Sequence, residues 1–331
     1  MNAILMAVPG FHGPQTPLDP AGPQALQIEH TLFLIFWITS IVTAIVFAVL
    51  ASGVLRQHAK GEMPPAFEVD PRTERRATWA VGTAIGITVV LLFIMMISSF
   101  ITSHRTAVLA KSASLSINVY GHEWWWEIEY PNEDQPNLIV RSANEIHVPA
   151  GTVVDIHGTS RDVIHSFWAP NIHGKKDLLP GYWNDLTLEV DKPGTWRGQC
   201  AEFCGLQHAH MAFNIVAESR EDFDRWYLGQ LKPAAEPQSP QAMHGREVFL
   251  SHPCVMCHTV RGTTASARVG PDLTHIAGRS TLGAGTLINN RGNLKEWVAN
   301  AQTFKPGSRM PPNPMPANDL SDLVAYLETL Q

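Results

Sequence analysis

Charge is missing from two long stretches of this 331-residue chain, and cysteine is scarce throughout. Only four cysteines occur, in two close pairs, Cys200/Cys204 and Cys254/Cys257, which leaves none for a separate disulfide framework. Lysine and arginine are absent from residues 1–30, and over the whole chain acids outnumber bases to a net charge of −6. That balance speaks against a nucleic-acid partner, because phosphate binding needs basic surface. Apolar residues make up 45 %, an ordinary share, but they are unevenly spread. The length allows two or three domains. Close cysteine pairs without a disulfide framework point to metal or haem chemistry.

The apolar excess sits in the uncharged runs Thr31–Leu55 and Ala77–Ser103. A helix rises about 1.5 Å per residue, so about 20 apolar residues cross a ~30 Å hydrocarbon core, and both runs are expected to span. Buried core helices rarely avoid charge for so long. Between the runs stand Arg56, Lys60, Arg72, Arg75 and Arg76. By the positive-inside rule the connecting loop is cytoplasmic, while the tail 1–30 and everything beyond Ser103 lie outside. The first run has no basic leader and exceeds a signal-peptide h-region, so it is expected to remain as a span.

From about residue 112 to 219 the chain changes character. Short β-rich pieces (Leu115–Tyr120, Glu145–Val148, Thr152–Gly158, Leu186–Val190, Ala212–Val216) alternate with turn signals at Pro131-Asn132, Pro149-Ala150-Gly151, Pro180-Gly181 and Lys192-Pro193-Gly194. This spacing predicts an antiparallel sandwich with Greek-key connections. Into it fall His165 and the series Cys200-x3-Cys204-x3-His208-x2-Met211. Thiolate, imidazole and thioether together select copper among common metals, and two cysteines with two histidines exceed what one blue-copper ion uses. They suit two coppers bridged by both sulfurs, with Met211 and a backbone carbonyl near Glu202 as weak axial contacts. Zinc would leave Met211 without a role, and a disulfide would leave both histidines without one; these are the alternatives. His12, His30, His58, His122, His147, His157 and His173 are read as surface or packing residues.

Four segments carry a more specific likeness: Gly121-His-Glu-Trp-Trp-Trp126, Asp162-Val-Ile-His-Ser-Phe167, Leu179-Pro-Gly181 and Gly198-Gln-Cys-Ala-Glu-Phe-Cys-Gly205. In order and spacing they resemble cytochrome oxidase subunit II, and with the helical hairpin the likeness covers residues 25–220. The resemblance implies a cupredoxin-like domain with the dinuclear centre CuA on His165, Cys200, the Glu202 carbonyl, Cys204, His208 and Met211. It also implies a magnesium ion shared with subunit I through the Glu202 carboxylate. Trp124 matches the aromatic position where an external cytochrome delivers its electron, a packed core tryptophan being the alternative. One departure stands out: three residues ahead of Trp79, where the family has a glutamate at a proton pathway, this chain has Arg76, and Glu74 is the nearest carboxylate.

Residues 220–231 read as a helix, and Leu231–Gln241 (LKPAAEPQSPQ) as a proline-rich linker. Beyond it Cys254-Val-Met-Cys-His258 has the C-x-x-C-H spacing of covalent haem c, with His258 as proximal ligand. Gly270-Pro-Asp-Leu273 resembles the loop that supports the proximal histidine in class I cytochromes c. The distal ligand is expected to be methionine: Met310, in Lys305-Pro-Gly-Ser-Arg-Met-Pro311, resembles the class I motif, Met315 competes, and Met256 is excluded by geometry. Helical pieces are expected near Asn293–Ala301 and over Asp319–Leu330, the latter with Asn318 as N-cap.

The expected architecture is multidomain: external tail (1–30), two-helix transmembrane hairpin (31–104), all-β cupredoxin-like domain (112–219), helix and linker (220–241) and all-α class I cytochrome c domain (242–331). The resemblance makes the chain an electron inlet for a haem–copper oxidase, and covalent haem in an outer compartment without an organelle-targeting leader points to a bacterial cytoplasmic membrane as its expected location. Its expected partners are subunit I, subunit III and an external donor such as soluble cytochrome c or a quinol-oxidising complex. No oxygen site belongs to the chain itself, since the spanning runs hold no histidine except His104 at the outer edge. A CuA-bearing nitric oxide reductase inlet and a membrane-tethered carrier are the rival readings. The acidic stretch Glu123, Glu127, Glu129, Glu133, Asp134 is a candidate surface for a basic cytochrome, an ordinary solvated face being the alternative.

Overall fold

A computed structural model describes residues 13–60, 70–108, 113–132 and 138–331. The chain divides into two compact units, one of Leu26–Val108 and the other of Met1–Ala25 with Leu109–Gln331.

Two 38-residue helices make the first unit, α1 (Pro23–Lys60) and α2 (Pro71–Val108), each with a window of mean hydropathy 2.6 and no residue of it buried. Proline stands at the first helical position of both, where its missing N–H costs nothing. Asp70 caps α2: its carboxylate accepts the Arg72 amide at 3.1 Å and the Thr73 hydroxyl at 3.0 Å. The Thr39, Thr78 and Thr88 hydroxyls donate to carbonyls four residues back, so these polar groups are satisfied on an apolar surface. Both helices exceed the uncharged runs. Arg56, Lys60, Arg72, Arg75 and Arg76, expected in a loop, stand in helical end turns, because arginine and lysine propagate a helix almost as well as alanine.

The second unit begins with ten strands in two five-stranded sheets. They are β1 (Leu115–His122), β2 (Trp125–Tyr130), β3 (Val140–Ala143), β4 (Glu145–Pro149), β5 (Val153–Ser160), β6 (His165–Trp168), β7 (Lys176–Leu178), β8 (Asn184–Glu189), β9 (Gly194–Cys200) and β10 (Ala212–Glu218). One sheet runs β3-β2-β1-β5-β8 and the other β4-β10-β9-β6-β7. The sandwich is not wholly antiparallel as expected: β1 pairs β5, and β4 pairs β10, in parallel. Asn144 (φ 63°) makes the step from β3 in one sheet to β4 in the other, and its Oδ1 accepts the Trp126 amide at 2.9 Å. Between the sheets Trp126, Phe167 and Phe213 are fully buried and in mutual contact, with Phe167 and Phe213 stacked at 4.3 Å.

Helix α3 (Arg220–Gln230), capped by Ser219, closes one end of the sandwich by setting Trp226 against Tyr130 at 5.3 Å. The proline-rich segment after it is fixed by hydrogen bonds: Arg261 donates to the Gln230 and Leu231 carbonyls, and Ala234 N to Arg261 O at 2.9 Å. Three helices frame the C-terminal domain, α4 (Pro240–Ser251), α5 (Arg291–Ala299) and α6 (Ala317–Leu327). Phe249, Leu294, Val298, Leu323 and Leu327 form its core. Asn318 does not cap α6. The cap position is Pro316, whose fixed φ starts the helix two residues earlier.

Candidate metal and haem sites

At one end of the second sheet, β9 finishes on Cys200 and β6 starts on His165, with Phe167 opposite Cys200 in register. The loop 201–211 turns through a short 3-10 helix at His208–His210 and returns into β10. This brings the sulfurs of Cys200 and Cys204 to 3.7 Å. Cys200 Sγ lies 3.8 Å from His165 Nδ1 and 3.2 Å from the Glu202 carbonyl. Cys204 Sγ lies 3.6 Å from His208 Nδ1 and 3.8 Å from Met211 Sδ. All six expected copper residues therefore converge. Cys200, Cys204, His165 and Met211 are buried, His208 is half-buried, and the Glu202 side chain is exposed.

The electrostatics suit a cation. Contact with Cys204 draws the Cys200 thiol well below its ordinary pKa, and the same contact holds Cys204 well above it. Two thiolates 3.7 Å apart repel, so ionising both needs positive charge beside them. Thiolates, imidazoles and a thioether fit copper. Asp162 orients His165, with Oδ1 2.9 Å from Nε2. Burial opposes protonation of His165, but Asp162 and Cys200 outweigh it and its pKa is raised. Gly121 admits the ring, since a Cβ there would meet His165 Cδ2 at 2.5 Å.

In the C-terminal domain Cys254, Cys257, His258 and Met310 line one apolar cavity of about 470 Å³. Met315 packs on the helical core instead. His258 Nδ1 is 2.8 Å from the Pro271 carbonyl, an acceptor only, so Nδ1 carries the proton and Nε2 keeps its lone pair. Burial lowers the pKa of His258, which keeps the imidazole neutral as iron ligation requires. Gly270 lies flat against the ring: a Cβ would stand 2.7 Å from His258 Cε1. A covalently bound, apolar macrocycle with one imidazole and one thioether ligand fits this donor set and lining.

The two sites meet at Trp124. It lines the same cavity as Cys254, Cys257 and His258, and its Nε1 donates to the Cys204 carbonyl at 2.9 Å. It is 8 % exposed, so it is a packed tryptophan as well as a bridge between the sites. Among the described residues of the acidic stretch, two are turned away from solvent. Glu127 and Glu129 are buried and both accept from Arg268 of the C-terminal domain, at 3.0 and 2.5 Å. Strand pairing had turned those side chains toward the chain's own cationic residue. Glu133 and Asp134 lie outside the described residues, as do His12 and the His58 side chain. His122 stacks on Trp125 at 4.4 Å and His147 on Trp226 at 4.1 Å, both as packing residues.

Sequence reasoning gave no role to Asp162, Arg268 or Lys305. Asp162 offered a signal, a carboxylate three residues before a ligand histidine. The other two act across domains and left none.

Residues 132–219 match the family of the cytochrome c oxidase subunit II periplasmic domain, and residues 242–331 match cytochrome c. Cytochrome c oxidase subunit 2 of Alkalihalophilus pseudofirmus is 34 % identical over 96 % of this chain and 91 % of its own length. The chain belongs to the cytochrome c oxidase subunit II family. The subunit 2 of Bacillus subtilis is 31 % identical over 60 % of this chain and 56 % of its own. The crystal structure of the periplasmic domain of subunit II from Bradyrhizobium japonicum is 30 % identical, covers 36 % of this chain and 94 % of that one, and superposes with a TM-score of 0.34. This subunit II thus carries a fused cytochrome c domain and is part of an oxidoreductase anchored in a membrane beside a subunit I. Copper belongs to its β domain and haem c to its C-terminal domain.

Proposed function

We propose that the chain is the electron inlet of an oxygen-reducing haem–copper oxidase. Electrons from an external donor would reach haem c on Cys254, Cys257, His258 and Met310, pass to a dinuclear CuA centre, and leave for subunit I. The CuA ligands in this reading are His165, Cys200, the Glu202 carbonyl, Cys204, His208 and Met211. The observation that carries it is Trp124, whose ring lines the haem cavity while its indole N–H donates to the carbonyl of Cys204. Bound, the two groups supply one-electron redox couples.

The protein's part is placement. Asp162 and Gly121 hold the His165 ring, and Pro271 and Gly270 hold that of His258. Two sulfurs, two imidazoles, a thioether and a carbonyl outnumber the donors one copper takes, which supports a pair. The exposed Glu202 carboxylate is available to a magnesium ion shared with subunit I. We place the protein in a bacterial cytoplasmic membrane, with Arg56, Arg72, Arg75 and Arg76 inside and both cofactor domains outside. The domains run 31–104, 112–219, 220–241 and 242–331 after an external tail, and subunit III and a soluble cytochrome or quinol-oxidising donor complete the assembly.

Electron paramagnetic resonance of the intact chain matured with copper and haem tests this. One electron shared by two equivalent coppers should give a seven-line pattern beside a low-spin haem signal, and Cys200→Ser should abolish the seven lines. A four-line, single-copper pattern in the parent would overturn the dinuclear assignment.

A further inference from the structure

Lys305 is a lysine with almost no access to water. It is 3 % exposed, and its Nζ donates to three backbone carbonyls: Trp124 at 2.6 Å, His210 at 2.7 Å and Gly283 at 2.8 Å. Trp124 and His210 belong to the β domain, and Gly283 to the C-terminal domain. Each β-domain carbonyl sits at a telling place. Trp124 is the residue whose indole reaches the Cys204 carbonyl, and His210 directly precedes Met211. Lys305 itself lies five residues before Met310, and the two share the wall of the haem cavity.

Neighbouring contacts show that this region is seated rather than merely close. Gln207 Nε2 donates to the Pro306 carbonyl at 2.8 Å, and Ala212 N donates to the Ala284 carbonyl at 3.0 Å.

Adhesion alone does not call for an ammonium here. Burying one is costly, and an apolar side chain of similar length would join two surfaces with less desolvation. Three directed hydrogen bonds add geometry: they fix a point of the haem-bearing loop against two points of the copper-bearing domain at once. Burial draws the pKa of Lys305 down to about 7, with the Cys204 sulfur pulling the other way; the ammonium has one N–H for each of the three carbonyls, and the neutral amine would still serve two.

We infer that Lys305 is a positioning residue for internal electron transfer, setting the haem loop at Met310 against Trp124 and the copper loop. The inference rests on the haem-to-copper transfer proposed above.

The test uses the assembled oxidase containing the full chain, with haem c reduced by a light pulse and copper reduction followed optically. Lys305→Met should slow that step by about tenfold or more, as small displacements of reacting groups do. Haem and copper spectra should stay those of the parent, and the relaxation of the copper signal by oxidised haem should weaken. A step within twofold of the parent, with parent-like relaxation, overturns the inference even if thermal stability falls, because adhesion alone explains that. Absence of haem-to-copper transfer in the parent itself would instead sink the proposed path, and the inference with it. Should Lys305→Met fail to load haem, Lys305→Gln, which keeps two N–H donors on a shorter arm, decides alone. Its rate should fall between parent and one tenth, and a parent rate overturns the inference.

Discussion

In the β domain each candidate copper ligand stands within 4 Å of one of the two cysteine sulfurs, on top of a closed aromatic core; in the C-terminal domain four residues face a cavity of about 470 Å³. In the first, Trp126, Phe167 and Phe213 fill the space between the sheets, and ligand convergence follows from strand register and one loop. In the second, α4, α5 and α6 pack around a volume that a macrocycle of haem size fits. One site is a product of its fold. The other fold has its cofactor as part of the core.

The sharpest way to break this contrast is to withhold the haem. At roughly 24 cal/mol per Å³ of cavity, a volume of about 470 Å³ corresponds to on the order of 10 kcal/mol as an upper bound. That is comparable with the whole stability of a domain, about 5–15 kcal/mol. Changing Cys254 and Cys257 together to Ala should therefore remove the cooperative thermal transition of the C-terminal domain while the β domain still melts near its parent midpoint. Calorimetry of the intact chain checks this, and two unchanged transitions would show that the helical framework does not depend on the haem.

The complementary test empties the core that is full. Trp126→Ala should destabilise the β domain by about 3–5 kcal/mol, as large-to-small aromatic changes in cores do. Its ring lies 6.0 Å from that of His165, so the copper spectrum should change too. Denaturant titration with an optical readout of copper follows both. A loss below about 1 kcal/mol, or an unchanged spectrum, would mean that the copper site does not lean on the core.

How much of this could be read from the sequence follows the same divide. Local spacing brought the candidate ligands together: Cys200 ends β9, and Cys204, His208 and Met211 follow in the one loop that leads into the paired strand β10. His258 meets Pro271 because that likeness, too, is local. The uncharged runs announced the two long helices, though not their reach into the basic end turns. Topology was less legible. The β1–β5 and β4–β10 pairs are parallel because the chain changes sheets at Asn144, and nothing in strand composition states which neighbours will pair. β2, β3, β6, β7 and β9 were missed as strands: β2, β6 and β9 hold the aromatic, ligand and glycine residues that motif spacing had already claimed, and β3 and β7 are only four and three residues long. Contacts between domains left no sequence trace at all: Lys305 and Arg268 look like surface cations until their partners are placed.

Arg268 supplies the smallest test, and one that asks whether the boundary between the two regions is electrostatic as well as packed. Its guanidinium joins Glu127 and Glu129. Burial pushes the Glu127 carboxyl upward, but hydrogen bonds from His122 and Arg268 outweigh it and hold it below its ordinary value of 4.5. A depressed folded-state pKa contributes stability that is complete above the unfolded value and is lost as pH falls through the folded one. The contribution should therefore be constant from pH 7 to about pH 5 and fade below about pH 4, as Glu127 takes up a proton. Because the Arg268 side chain is 49 % exposed, its size should be only about 1 kcal/mol or less. Melting curves of the parent and of Glu127→Gln should differ by a few degrees at neutral pH, converge in acid, and draw closer as salt is raised. A gap independent of both pH and salt would assign the contact to shape alone, leaving Lys305 and the backbone hydrogen bonds to hold the haem domain in place.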